Sequence, residues 1–176
     1  MTPRELEEYR ALRETIRERG TARVWVVMAG LTAWAGLTLS AIAWAPWPLA
    51  TLAPLLVLAG TFEAAYALHT GVERIGRYLQ VFYEDDESDR KWEHQAMAYG
   101  SRFPGGSPDP LFALFFCLAA VFNFVPVVLA QAVPVEYGVV GALHFLFVAR
   151  LVVARRQAAR QRSVDLERFR QLKRPS

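Results

Sequence analysis

The chain has 176 residues, 53% hydrophobic and 21% charged, with a formal net charge of +3 at pH 7. That apolar share is high for a soluble domain, and the charges are segregated along the chain. The one cysteine, Cys117, excludes a disulfide framework or a cysteine-built metal site within one chain and reads as a small packing residue.

Four apolar stretches, residues 24–45, 49–69, 111–132 and 135–154, are each long enough to cross a hydrocarbon core, which needs about 20 residues. The expected fold class is therefore an all-α integral membrane protein: four transmembrane helices in two antiparallel hairpins, with helical cytoplasmic extensions. Five segments follow: a cytoplasmic amphipathic helix at 1–20, hairpins at 24–69 and 110–154, a cytoplasmic loop with helical extension at 70–108, and a basic C-terminal helix at 155–176. The cations fall in three segments, six in 1–23, five in 70–108 and nine in 150–176, and the two tight turns have none. By the positive-inside rule both termini and the middle loop face the cytoplasm, as in a bacterial-type inner membrane. Ala41-Ile42-Ala43 resembles a cleavage site, but the preceding region is long and rich in acids, so the first span is expected to remain as an anchor.

In chain order, Thr2, Pro3 and Glu5 form a capping box with proline at the first helical position, and the helix they start is expected to end at Gly20. In the first span Ala29, Ala33, Gly36, Ser40 and Ala43 recur at three- and four-residue steps, a seam for another helix of this chain or of a second copy. Pro54 is expected to kink the second span. From residue 61 to 83 one helix leaves the membrane, with Leu68, Val72, Ile75, Leu79 and Phe82 on one stripe and Glu63, Thr70, Arg74 and Arg77 on a polar face opposite. Residues 88–99 read as a short helix stopped by Gly100, and Asp109 with Pro110 as the cap and first residue of the third span. The C-terminal basic segment continues the fourth helix. The middle loop, net −2, complements that segment, net +7, so the three cytoplasmic helical pieces are expected to pack together.

Counting along antiparallel hairpins compares depths. Asn123 and His144 each lie ten or eleven residues from their shared turn, about 15 to 16 Å down at a rise of about 1.5 Å per residue. A hydrogen bond between amide and neutral imidazole would satisfy both; a proton or ligand path, or a metal or haem ligand, are the other readings. Glu63 and Arg150 likewise share a depth and suit an interhelical ion pair. Otherwise Arg150 snorkels to the inner boundary while Glu63 pairs with Arg74 or is protonated. His69, Glu73, Glu93 and His94 are a candidate set for a divalent metal at the membrane surface, with no HExxH motif behind them. No nucleophile elbow or glycine-rich phosphate loop appears, so neither a catalytic residue nor a cofactor is expected.

The expected function is a small multipass membrane subunit, a scaffold, docking or regulatory component acting through its cytoplasmic helices on a membrane or cytoplasmic partner or on further copies of itself. The lipid bilayer and anionic lipid at the cytoplasmic face are its other partners, and nucleic acid is not. The alternative is a small oligomeric channel or transporter with a polar route at Glu63, Asn123, His144 and Arg150. An enzyme built on the four metal candidates is the third.

Overall fold

A computed structural model describes residues 1–44, 47–84, 92–103 and 109–174. Five α-helices make up the described residues, with no strand among them: α1 (Pro3–Trp44), α2 (Leu52–Phe82), α3 (Trp92–Arg102), α4 (Ala113–Leu129) and α5 (Pro134–Lys173). A short 3₁₀ turn, Pro48–Thr51, runs directly into α2. Three segments, Pro3–Trp44, Pro48–Phe82 and Pro134–Lys173, are long and apolar enough to cross a membrane. The remaining apolar helix, α4, has 17 residues, about 26 Å at about 1.5 Å per residue, against a hydrocarbon core of about 30 Å.

The chain divides into two compact units. One comprises residues 1–22, 67–110 and 156–176, the other residues 23–66 and 111–155.

The capping box at the start of α1 is formed reciprocally. The Thr2 amide donates to Glu5 Oε2 at 2.6 Å, and the Glu5 amide donates to Thr2 Oγ1 at 3.3 Å. The helix does not end at Gly20 but runs on to Trp44. Glycine costs a helix about 1 kcal/mol relative to alanine, which 42 residues of continuous helix absorb. Gly100 likewise lies inside α3, which ends at Arg102; the expected start of that helix at Ser88 lies outside the described residues. Pro54 falls in the first turn of α2, where a missing amide donor does no harm, so no mid-span kink follows from it.

α4 departs most from expectation. Phe112, not Asp109, is its N-cap, in a left-handed conformation at φ 53° and with no side-chain cap, and Pro110 lies outside the helix. Gln131 is left-handed at φ 52° just beyond its other end. A non-glycine residue there costs about 1–2 kcal/mol. At Phe112 the offset comes from packing: Leu111 is buried in the core and Phe112 lies against it.

The core of the 23–66/111–155 unit is a cluster that includes Val27, Leu55, Leu58, Phe62, Phe116, Phe147 and Leu151. Phe62 sits at its centre, with its ring edge-on to Phe116 and Phe147 at 5.4 and 6.4 Å. α1 enters through Val27, Leu31 and Trp34, and the seam expected from sequence is not the contact: Ala29, Ala33, Gly36 and Ala43 are exposed. The close approach is at Gly30, where a Cβ would lie 2.1 Å from Thr61 Oγ1 and 2.7 Å from its Cβ, while one at Gly36 would meet nothing within 4 Å.

In the other unit Leu79, Val81, Tyr83 and Leu166 are buried, and Tyr78, Phe82 and Phe169 stack around them, with Tyr78 to Phe82 at 4.7 Å. Of the polar face expected on α2, Glu63 and Arg74 are exposed, whereas Arg77 is buried, with Gln80, alongside Leu79.

Gly30→Ala is expected to lower stability by about 1–3 kcal/mol through overpacking against Thr61. Gly36→Ala should leave it unchanged or slightly higher. Thermal unfolding of both variants in detergent makes the comparison, and equal effects would contradict the packing described.

Candidate functional site

Three polar constellations contain the residues singled out from sequence. The first surrounds Asn123, which is 0% exposed in the middle of α4. Its Nδ2 donates to the Thr51 carbonyl at 2.9 Å and lies 3.0 Å from His144 Nε2. Its Oδ1 accepts from Trp34 Nε1 at 3.3 Å and lies 3.3 Å from the Thr38 hydroxyl, which also reaches the Trp34 carbonyl at 2.8 Å. The His144 tautomer follows from its second contact. Nδ1 lies 2.8 Å from the Val140 carbonyl, which can only accept, so Nδ1 carries the proton and Nε2 is free to accept from Asn123. The Phe124 ring closes one side of the imidazole, edge-on at 5.2 Å. Trp34, Thr38 and Thr51 are additions to the expected pair, and their only signal in the sequence was a polar atom inside an apolar run.

The second constellation is Glu63 and Arg150. Arg150 Nε lies 2.7 Å from Glu63 Oε1 and its Nη2 donates to Oε2 at 2.8 Å, a two-pronged geometry that fixes both planes. The guanidinium also lies over the Tyr66 ring at 5.0 Å. Leu52, Leu55, Leu56, Ala59, Leu143 and Phe147 form an apolar groove beside this pair, about 430 Å³ in volume.

The third lies in the 1–22/67–110/156–176 unit and is built on carboxylates. Glu84 is 0% exposed. Its Oε1 accepts from Arg13 Nη2 at 3.0 Å, and its Oε2 accepts the amides of Glu93 and His94 at 2.7 and 3.3 Å. It thus caps the N-terminus of α3 from outside the helix, where freed amides and the helix dipole favour an anion. Arg13 also binds Glu93. Asp165, buried on α5, accepts from Arg77 Nη1 at 2.9 Å and from Gln161 at 2.8 Å, while Arg77 Nη2 donates to Glu73 at 3.0 Å. Tyr78 donates to Glu8 at 3.0 Å, and burial first, then that carboxylate, pushes both Tyr78 and Tyr83 above the ordinary tyrosine range, keeping them protonated donors.

These partners decide what the four metal candidates can do. Glu73 is held by Arg77, Glu93 by Arg13, and His94 Nδ1 lies 3.5 Å from Glu84 Oε2. His69 is buried in α2. Among the described residues no three His, Cys, Asp or Glu side chains converge as metal ligands would.

No family model, curated protein or solved structure matches this chain. Its chemistry is therefore read from its own geometry.

Two outcomes test that geometry. Asn123→Leu and His144→Leu should each destabilise by about 1–3 kcal/mol by orphaning the partner. The double variant should fall short of their sum by about 0.6–2 kcal/mol, the coupling typical of such pairs between membrane helices; a strictly additive result in thermal unfolding would contradict it. Glu84→Ala should cost about 1–3 kcal/mol because it leaves the first amides of α3 without their acceptor and removes one of Arg13's two carboxylate partners. It should also remove hydrogen-exchange protection over residues 92–102 while leaving 113–129 protected.

Proposed function

We infer that the protein is a multipass membrane subunit acting as a scaffold, docking or regulatory component, and that α3 carries its docking surface. The observation behind this reading is an aromatic stripe that runs along α3 and one residue past its end. Trp92, Tyr99 and Phe103 are 69%, 55% and 51% exposed, at positions i, i+7 and i+11, and Ala96 shares their face. The Tyr99 and Phe103 rings lie 5.0 Å apart, with the Arg102 guanidinium 5.9 Å from the Phe103 ring. Large aromatics and arginine are the residues that dominate protein interfaces, because they bring area at low entropic cost. A helix held at its N-terminus by Glu84, with these rings turned outward, suits a partner protein.

In this proposal four segments cross the bilayer in two hairpins, α4 being the shortest, and both termini and the 70–108 loop lie in the cytoplasm, as the positive-inside pattern favours. The basic C-terminal segment contacts anionic lipid at that face. The polar-route alternative is less supported, because Asn123 and His144 spend their hydrogen bonds on one another and on near neighbours, and Glu63 and Arg150 form a two-pronged pair.

Photo-crosslinking in native membranes tests the reading. A crosslinker at Trp92, Tyr99 or Phe103 should give a discrete protein adduct, and one at exposed Glu7 should not. Adducts to lipid alone at all three α3 positions, together with ion flux through the purified protein in liposomes, would replace docking with the channel.

A further inference from the structure

Charged side chains within transmembrane segments almost always face a bundle interior or a wet cavity. Glu63 and Arg150 do neither. They lie sixteen residues beyond Trp47 and Pro134, about 24 Å from those turns at about 1.5 Å per residue, within a hydrocarbon core of about 30 Å. Their side chains are nonetheless 49% and 35% exposed, and they close one end of the apolar groove between α2 and α5 in the 23–66/111–155 unit. Pairing answers each charge but leaves the pair itself facing lipid.

Leu55 and Phe147 form the buried floor of that groove, and Leu56, 74% exposed, stands with Leu143 at its rim. Gly60, Glu63 and Ala64 follow Leu56 on the same exposed face of α2, at i+4, i+7 and i+8. A Cβ at Gly60 would meet nothing within 4 Å, so a neighbouring backbone can come close there. An acyl chain would fill the apolar groove and leave the exposed pair facing hydrocarbon. A covering surface that also answers the pair needs one charge of each sign at the same depth.

We propose that this face is the contact between two copies of the chain, related by a twofold axis along the bilayer normal. Two copies inserted with one topology admit no other twofold axis. The two charges bond each other at one level, so their dipole lies close to the membrane plane. A half-turn about the normal keeps depth and reverses every in-plane direction. Glu63 of one copy then stands opposite Arg150 of the other. Two exposed pairs become one alternating set of four charges, withdrawn from lipid into surroundings where their attraction is strong. Leu56 of each copy seats over the groove of the other, and Gly60 and Ala64 let the two α2 helices approach. The contact rests on α2 and α5 crossing the bilayer and is independent of the docking role of α3.

Full-length chains labelled at the N-terminus with a donor or an acceptor fluorophore and reconstituted in liposomes should show energy transfer that unlabelled chain competes away. Gly60→Leu should weaken this self-association at least tenfold while keeping the Tm, since its side chain enters open space. Gly36→Leu, on the outward stripe of α1, should leave it unchanged. Glu63→Lys and Arg150→Glu, each with two like charges at the contact, should fail to pair with themselves and pair with each other. Should either charge variant fail to fold, the two glycine variants decide. Transfer undiminished by Gly60→Leu, transfer lost with Gly36→Leu, or self-pairing of both charge variants would overturn the proposal. So would a vesicle-bound monomer, which makes lipid the occupant of the groove. A chain recovered in water rather than in the vesicles would instead remove the membrane reading beneath it.

Discussion

A polar group removed from water must find a partner, and Asn123 and Glu84 show how far each unit is arranged around that constraint. The Asn123 amide draws on α1 through Trp34 and Thr38, on the 3₁₀ turn through the Thr51 carbonyl, and on α5 through His144. One side chain therefore fixes the register of four segments at one level, which apolar packing alone does weakly because leucines and phenylalanines slide past one another at little cost. Glu84 does the same with a charge. It joins Arg13 of α1 to the first amides of α3, one oxygen accepting from the guanidinium and the other from both amides.

Close helix approach depends on a different economy of space. The regular stripe of small residues on α1 faces outward, and contact is made at Gly30, where the neighbour's Thr61 occupies the volume a Cβ would need. Thr61 answers its own hydroxyl by donating back to the Val57 carbonyl at 2.7 Å, so it brings no unmet polar group into the contact. A glycine opposite a back-bonded threonine packs two backbones closely without needing a repeating motif.

What was legible in the sequence was what local arithmetic controls. Apolar run length marked the long helices, and counting from a tight turn brought Asn123 level with His144 and Glu63 level with Arg150, because helical rise is constant. The ends of α4 were not legible: Phe112 and Gln131 adopt left-handed backbone that nothing in their residue type favours, and at Phe112 core packing offsets the cost. Periodicity put Arg77 on a polar face but reports one helix at a time; its burial goes with its bond to Asp165, 88 positions away on another helix. Glu84 is the first of four consecutive acids in the sequence, a pattern that does not register that its carboxylate accepts from amides nine and ten positions on. Metal candidates failed to gather for the same reason, since each nearby arginine had an equal claim on the same carboxylates.

The functional argument follows from where the rule of satisfied polar groups and covered rings is kept and where it is not. Around Asn123 every donor of the amide is used, and Glu63 presents both oxygens to Arg150. A conducting route needs polar groups that can exchange partners with a passing ion or proton, and groups already held in fixed pairs would have to break them at a cost that low-dielectric surroundings increase. In the other unit the rings of α3 stand exposed and Arg77 Nε, Gln80 Oε1 and Arg162 Nε are buried without a partner, as is Arg150 Nη1 beside Glu63. The helix that presents the rings is held by Glu84 at its first amides and by Arg13 at Glu93, so the position of the rings depends on that charge network.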